Sequence, residues 1–347
     1  MHISDTIASL LSRVPVIDVH SDYAIQLYRE MRDGRPDALA ALHLPMLREG
    51  GISMEVHTVG GDFDIGELDL WDYELVKRIS GSLLESIAAS PDLFRLILTA
   101  EDVRGMQQRG ALGLMMALEG VRCLEQSTDR LHELHALGLR SVIFTHNHRN
   151  GAADGCSEPE PRGLSAFGRT LVEELRSLRM VLDLVHLSVP SFWDALGRWN
   201  APVMVSHSNA RALCPHARNL DDEQIRAVGE SGGVIGLNFL SLFIDENRSR
   251  ADLDRLADHA VHIAGIAGAE ALALGPDFAD YYMDAMDAWI RRDNLPADLM
   301  AFVKGAEDVR GVPAFLETLY NRGFTLEEIE RIAGRNALRV YENCFTP

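Results

Sequence analysis

Histidines and carboxylates stand at the ends of short apolar runs along this chain, a placement that suits metal coordination. His20 and Asp22 close VIDVHSD, Glu119 closes GLMMALEG, His186 closes MVLDLVHLS, His207 closes APVMVSHSN, and Asp277 follows ALALGPD. Imidazole nitrogen and carboxylate oxygen are donors for Zn2+ and related divalent ions. A strand sends alternate side chains to opposite faces, so His20 and Asp22, two apart, are expected to point the same way. Two ions that share a carboxylate hold a hydroxide between them, and coordination lowers the pKa of water to about 7. The residue types therefore assign His20 and Asp22 to one ion, His186 and His207 to the other, and Glu119 to both as the bridge. Any one of them alone is an ordinary polar residue at a strand end; together they describe a metal centre.

Other residues fall within reach of such a centre. Asp18 lies one step deeper on the strand face of His20 and is expected to orient it. Asp277 is placed to take a proton from the attacking water and pass it to a leaving amine. His146, in FTHN, is a candidate hydrogen-bond donor to an oxyanion, and with His148 it forms an alternative ligand pair. Arg218 and Asn219, in SHSNARALCPHARNL, are expected over the same mouth, where an arginine matches a carboxylate with two parallel hydrogen bonds. Arg211 in that segment reads as structural. Cys123, Cys156, Cys214 and Cys344 form no C-x-x-C pair and are expected as free thiols, with Cys156 in a polar loop that could line a pocket.

These residues need a scaffold that gathers distant strand ends. Runs with strand character occur at 15–22, 52–59, 113–120, 139–147, 180–187, 202–208, 233–239 and 271–276, with helical segments between them. Alternating strands and helices, eight of the former, predict an α/β fold of the (β/α)8 TIM-like type, with the metal site at the C-terminal ends of the strands. No linker divides the chain, so residues 1–347 are read as one barrel domain. The helices include 164–179 and 221–233. Thr325 and Glu328 form a capping box that starts another, with Gly334 as its expected stop. The stretches 148–163 and 277–305 follow strand ends and are expected to overhang the mouth.

Composition narrows the partners. Lys+Arg 33 against Asp+Glu 52 gives a net charge of −19, which argues against nucleic acid and anionic membranes and suits a small or cationic ligand. No apolar run reaches the ~20 residues of a spanning helix, and the N-terminus lacks a signal-peptide pattern, so a cytoplasmic location is expected.

The motifs resemble those of the renal, or membrane, dipeptidase family within the amidohydrolase superfamily. The family's D-G-H-N-D is similar to Asp18-Val19-His20-Ser21-Asp22, its E-G to Glu119-Gly120, and its L-T-H-N to Phe144-Thr145-His146-Asn147. GLSAFGRTLVEELRSLRMVLDLVHLS, VSHSNARALCPHARN, GGVIGLNF and GRNALRVYE extend the resemblance over about residues 15–342. It implies a TIM-like barrel with two zinc ions that hydrolyses dipeptides, often tolerating a D-residue on the carboxyl side. It also implies Asp277 as proton shuttle, His146 as carbonyl contact and Arg218 as carboxylate anchor, and it is compatible with a homodimer. The sequence departs from the family at two places. G-S-D-F-D-G reads Gly275-Pro276-Asp277-Phe278-Ala279-Asp280, and G-x-Q-F-W-S of the second strand reads Ser53-Met54-Glu55-Val56-His57-Thr58. Glu55 and His57 add polar chemistry to the pocket if that strand faces it.

The leading reading is thus a binuclear zinc dipeptidase working by attack of a metal-bridging hydroxide. The alternatives are a hydrolase of another small amide, such as an N-acyl amino acid, and a barrel that binds metal and peptide without cleaving.

Overall fold

Each expected strand forms, and the eight pair side by side until the last meets the first. They are β1 (Ile17–Ser21), β2 (Met54–Gly61), β3 (Leu112–Glu119), β4 (Leu139–Ile143), β5 (Val181–Asp183), β6 (Met204–Val205), β7 (Val234–Leu237) and β8 (Leu272–Leu274). All run parallel, and β2 bonds both β1 and β3, which closes the barrel. A short extra strand, Phe94–Leu96, also pairs with β3. This computed structural model describes residues 3–106, 110–282, 290, 296 and 298–346.

Both faces of the strands are covered, so most of their residues are apolar, the buried polar ones standing mainly on β1 and β2. Ile17, Val19, Met54, Val56, Met115, Ala117, Val181, Met204, Val234 and Ala273 pack together, joined by Leu338, Val340 and Tyr341 of the C-terminal helix Asn336–Phe345. Their neighbours in sequence, such as Leu114, Met116, Leu182, Val205, Ile235 and Leu274, pack into a second core with the surrounding helices.

Apart from β2, which runs two residues beyond its expected end, the observed strands stop short of the predicted C-terminal ends, so His146, His186 and His207 stand just beyond strands instead of within them. The backbone has to turn inward there: His186 and Asp277 have φ of 65° and 62°, a left-handed conformation that ends a strand and is costly for non-glycine residues.

The predicted helix 164–179 runs from Ala166 to Ser177, capped by Ser165, and 221–233 from Asp222 to Glu230, with a capping box of Asp221 and Gln224. Thr325 and Glu328 form the expected box. Gly334 is not a stop: it lies in a π-helical turn, Arg331–Arg335, that runs directly into the C-terminal helix. A Cβ on it would lie 2.5 Å from the Pro15 carbonyl oxygen, so its role is close packing against the segment entering β1. Of the stretch 277–305, the described flanks reach the mouth, while residues 283–289, 291–295 and 297 lie outside the described residues. Among the described residues, no helix is long and apolar enough to cross a membrane.

Candidate metal centre

The predicted ligands converge at the mouth. β1 ends at Ser21, and Asp22 opens the helix Tyr23–Arg32, with its backbone N–H donated to the Tyr281 hydroxyl at 2.8 Å. The β1–β2 register shifts between Asp18 and Ser21, where His20 enters the centre. Its Nε2 lies 3.8 Å from Asp22 Oδ1, 3.7 Å from Glu119 Oε2 and 3.6 Å from Asp277 Oδ1. The other oxygen of Glu119, Oε1, lies 3.0 Å from His186 Nε2 and 3.5 Å from His207 Nε2. Glu119 therefore turns one oxygen to His20 and the other to the histidine pair, the disposition of a bridging carboxylate.

The surrounding residues fix these rings. His186 Nδ1 meets Asn147 Oδ1 at 3.0 Å, and His207 Nδ1 meets Ser206 Oγ at 2.9 Å, which leaves Nε2 of each aimed at Glu119. Arg218 donates from Nη2 to the His207 carbonyl at 2.9 Å and lies over the Phe243 ring. Beneath His207 the chain is tightly approached: a Cβ on Gly236 or Gly275 would stand 1.8 or 1.7 Å from the Ser206 carbonyl oxygen.

The donor set fits divalent cations. Burial, with Arg218 and His146 close by, lowers the His20 pKa to about 3, and burial first of all drives His186 and His207 well below the usual histidine range. These imidazoles are neutral, as ligands must be. Burial and then Asp22 and Asp277 push the Glu119 carboxyl well up; burial and Asp22 push Asp277 up to about 7, against the pull of Arg218 and a 2.9 Å hydrogen bond from Asn238 Nδ2. Arg218 only partly offsets the crowded carboxylates among these neutral imidazoles, and His20 Nε2 is buried with no hydrogen-bond partner. Donor triplets in this cluster are His20–Glu119–His207, Glu119–His146–His186 and His20–Asp22–Asp277.

Above the cluster opens a cavity of ≈ 560 Å³, lined by Asp22, Glu119, His186, Asp277, His146 and Arg218 among others. The predicted chemistry is thus gathered in one space, His146 with its ring 4.6 Å from that of His186 and His148 at the cavity wall. Burial, then Arg218 and His148, lowers the His146 pKa to about 3, so it too is neutral.

Other expected residues do not reach the cavity. Asn219 is buried behind it, its amide donated to the Cys214 and Phe243 carbonyls at 2.9 Å each, so it shapes the loop that presents Arg218. Asp18 accepts the backbone N–H of His20, not its ring, at 3.0 Å. Glu55 and His57 lie away from the mouth; Glu55 instead pairs with His43 beside a second chamber. Cys156 donates its N–H to the His186 carbonyl and sets its thiol 3.5 Å from Asn147 Oδ1, outside the cavity. The four cysteines are free.

Several residues at the site carried no assigned role in the sequence reading. Asn147 and Asn238 sit inside the FTHN and GLNF segments, so their position was visible but not their partners. A hairpin after β2, Asp64–Ile65 with Leu68–Asp69, had no signal beyond Gly66 at its tip, yet Phe63, Ile65 and Trp71 wall the cavity there. Asp62 anchors it, accepting from Arg122 N at 2.8 Å and Asn150 Nδ2 at 2.6 Å.

A closed parallel barrel whose strand ends gather neutral imidazoles around shared carboxylates is a metal-dependent hydrolase of the amidohydrolase type. The profile of the membrane dipeptidase family, peptidase family M19, matches residues 4–345. The chain belongs to that family. An uncharacterised dipeptidase of Schizosaccharomyces pombe is 30% identical to it over 96% of this chain and 81% of its own length. Among solved structures, a dipeptidase of family M19 superposes with a TM-score of 0.81 at 26% identity, covering 96% of this chain and 99% of its own. A metallopeptidase of Rhodobacter sphaeroides, bound to a phosphinate mimic of the dipeptide L-Ala-D-Ala, superposes at 0.80 and 26% identity, covering 95% and 99%.

Proposed function

We propose that this dipeptidase works with two divalent ions, zinc foremost, held by His20 and Asp22 on one side, His186 and His207 on the other, and Glu119 between. The observation that carries this reading is the split of Glu119, with Oε2 toward His20 and Oε1 toward His186 and His207. Such ions, when bound, supply polarisation of the scissile carbonyl and a nucleophile from water at neutral pH. Arg218 holds the substrate's terminal carboxylate at the cavity wall, which fixes the peptide bond over the cluster. His146, neutral, donates a hydrogen bond to the carbonyl oxygen as negative charge develops on it. Asp277, its pKa raised to about 7, takes the proton released by water and delivers it to the amine nitrogen as the C–N bond breaks. Phe63, Ile65, Trp71, Leu240, Leu242 and Phe243 give the cavity apolar walls, which favour substrates with apolar side chains. The mimic bound by the Rhodobacter relative supports extending the range to dipeptides ending in a D-residue.

The test is Asp277→Asn, assayed on a panel of L,L and L,D dipeptides and N-acyl amino acids, with metal content measured in parallel. Turnover is expected to be nearly abolished and metal content unchanged; unimpaired turnover would refute the proton-transfer role. Wild-type cleavage of N-acyl amino acids in preference to dipeptides would move the substrate class.

A further inference from the structure

We propose that His43, Glu55 and His57 form a further divalent-cation site, outside the barrel interior and separate from the centre at the mouth. The residues come from two elements. Glu55 and His57 share one face of β2, and His43 ends a π-helical turn, Leu39–His43, before the helix Leu44–Glu49. One oxygen, Glu55 Oε2, meets His43 Nε2 at 2.7 Å and His57 Nε2 at 2.8 Å, and three donor atoms of the group lie within 4.8 Å of one another. Two imidazoles and a carboxylate with a position left open is a donor set that Zn2+ takes.

A plain hydrogen-bonded triad explains less. His57 is fully buried; its Nε2 lies 2.8 Å from Glu55 Oε2 but off the line of a hydrogen bond, and its Nδ1 has no hydrogen-bond partner. An imidazole sealed from water with one nitrogen unmatched and the other set off-line against a carboxylate is rare in a folded protein, and a cation before Nε2 would give that nitrogen a partner. His20 Nε2 shows the same condition at the mouth. The surroundings suit positive charge. A chamber of ≈ 220 Å³ beside the group is lined by Asp18, Glu55 and Asp280, and by Glu30, whose carboxylate Arg35 already pairs. It has room for water in the open coordination position. The His43 ring is fixed for the task by stacking on Tyr23, 3.5 Å between centroids and 4° between planes. Tyr281, whose hydroxyl accepts from Asp22 N, stands between the chamber and the mouth.

The experiment counts metal per chain by elemental analysis after zinc loading, in the wild type, His43→Gln/His57→Gln and Glu55→Gln, with dipeptide turnover followed alongside. Both variants are expected to carry one ion fewer than the wild type and to keep turnover. The readout is the difference, so it holds whether the mouth carries one ion or two. Equal content in wild type and variants would overturn the site. Loss of more than one ion together with turnover would overturn its separateness. Should the variants fail to fold, zinc-edge anomalous diffraction from wild-type crystals serves: a peak between His43, Glu55 and His57 is expected, and a peak at the mouth alone would refute the proposal.

Discussion

Adjacent residues divide the work around the cavity. Arg218 reaches its wall while Asn219, next in sequence, turns back to the Cys214 and Phe243 carbonyls and shapes the loop. The fork of an arginine suits a carboxylate and marks residue 218, whereas Asn219 is placed over the mouth by sequence proximity alone, and the tertiary partners of its amide turn it away. The metal-type residues were legible because imidazoles and carboxylates at several strand ends have few other reasons to gather. Arg218 carries a prediction. Lysine keeps the charge but loses the planar fork, and a hydrogen bond between charged groups is worth about 1.5–3 kcal/mol. Arg218→Lys is therefore expected to raise KM roughly 10- to 100-fold with kcat little changed. Steady-state kinetics check this, and a dipeptide with its terminal carboxylate amidated should show almost no difference between the two enzymes. A persisting difference on the amide would mean that Arg218 acts through the His207 carbonyl it also binds.

The strands hold those residues through close backbone approach. Gly236 on β7 and Gly275 after β8 leave space for the Ser206 carbonyl just before His207, and both hypothetical Cβ positions also crowd Val19 of β1, at 2.9 and 3.1 Å. The obstacle is backbone, which cannot rotate away as a side chain does. Gly275→Ala is expected to cost 3 kcal/mol or more, at or above the upper end of about 1–3 kcal/mol for overpacked cores, read as a lower urea midpoint. A midpoint unchanged from wild type would show that the β6 end yields easily. All eight strands were legible from apolar runs punctuated by polar ends. Their C-terminal limits were not, because an apolar run continues past the last paired residue: Phe144 is buried although β4 ends at Ile143. The face of Glu55 and His57 was equally hidden, since alternation says that they share a side and not which side. The register settles it, pairing Glu55 with Asp18 and placing both against the second chamber.

For the molecule as a whole, stability and the shape of the mouth are tied together by a histidine far from the chemistry. His259, on the helix Leu253–Ala267, is completely buried; its Nδ1 accepts from Ala210 N at 3.1 Å and its Nε2 meets the Ile244 carbonyl at 2.8 Å. It thereby fastens the segment after β6, which carries Arg218, and the segment after β7, which carries Leu242 and Phe243, to one outer helix. Accepting at Nδ1 requires the neutral ring, and burial lowers its pKa from 6.5 to about 4, the Ile244 carbonyl opposing and Arg255 assisting. Above pH 6.5 the ring is neutral whether the chain is folded or not, and its contribution is intact. As pH falls below 6.5 the unfolded chain takes up a proton that the folded chain refuses, so stability drains away until about pH 4, by an amount on the order of 3 kcal/mol. His259→Gln removes this titration. The variant is expected to be less stable than the wild type at pH 7.5, where it loses a matched pair of hydrogen bonds, and to lose less stability between pH 7.5 and 5. Urea denaturation of both chains at the two pH values measures the difference. Every other titrating group is common to the two chains, so parallel losses on acidification would mean that His259 takes up its proton in the folded state as readily as in the unfolded one.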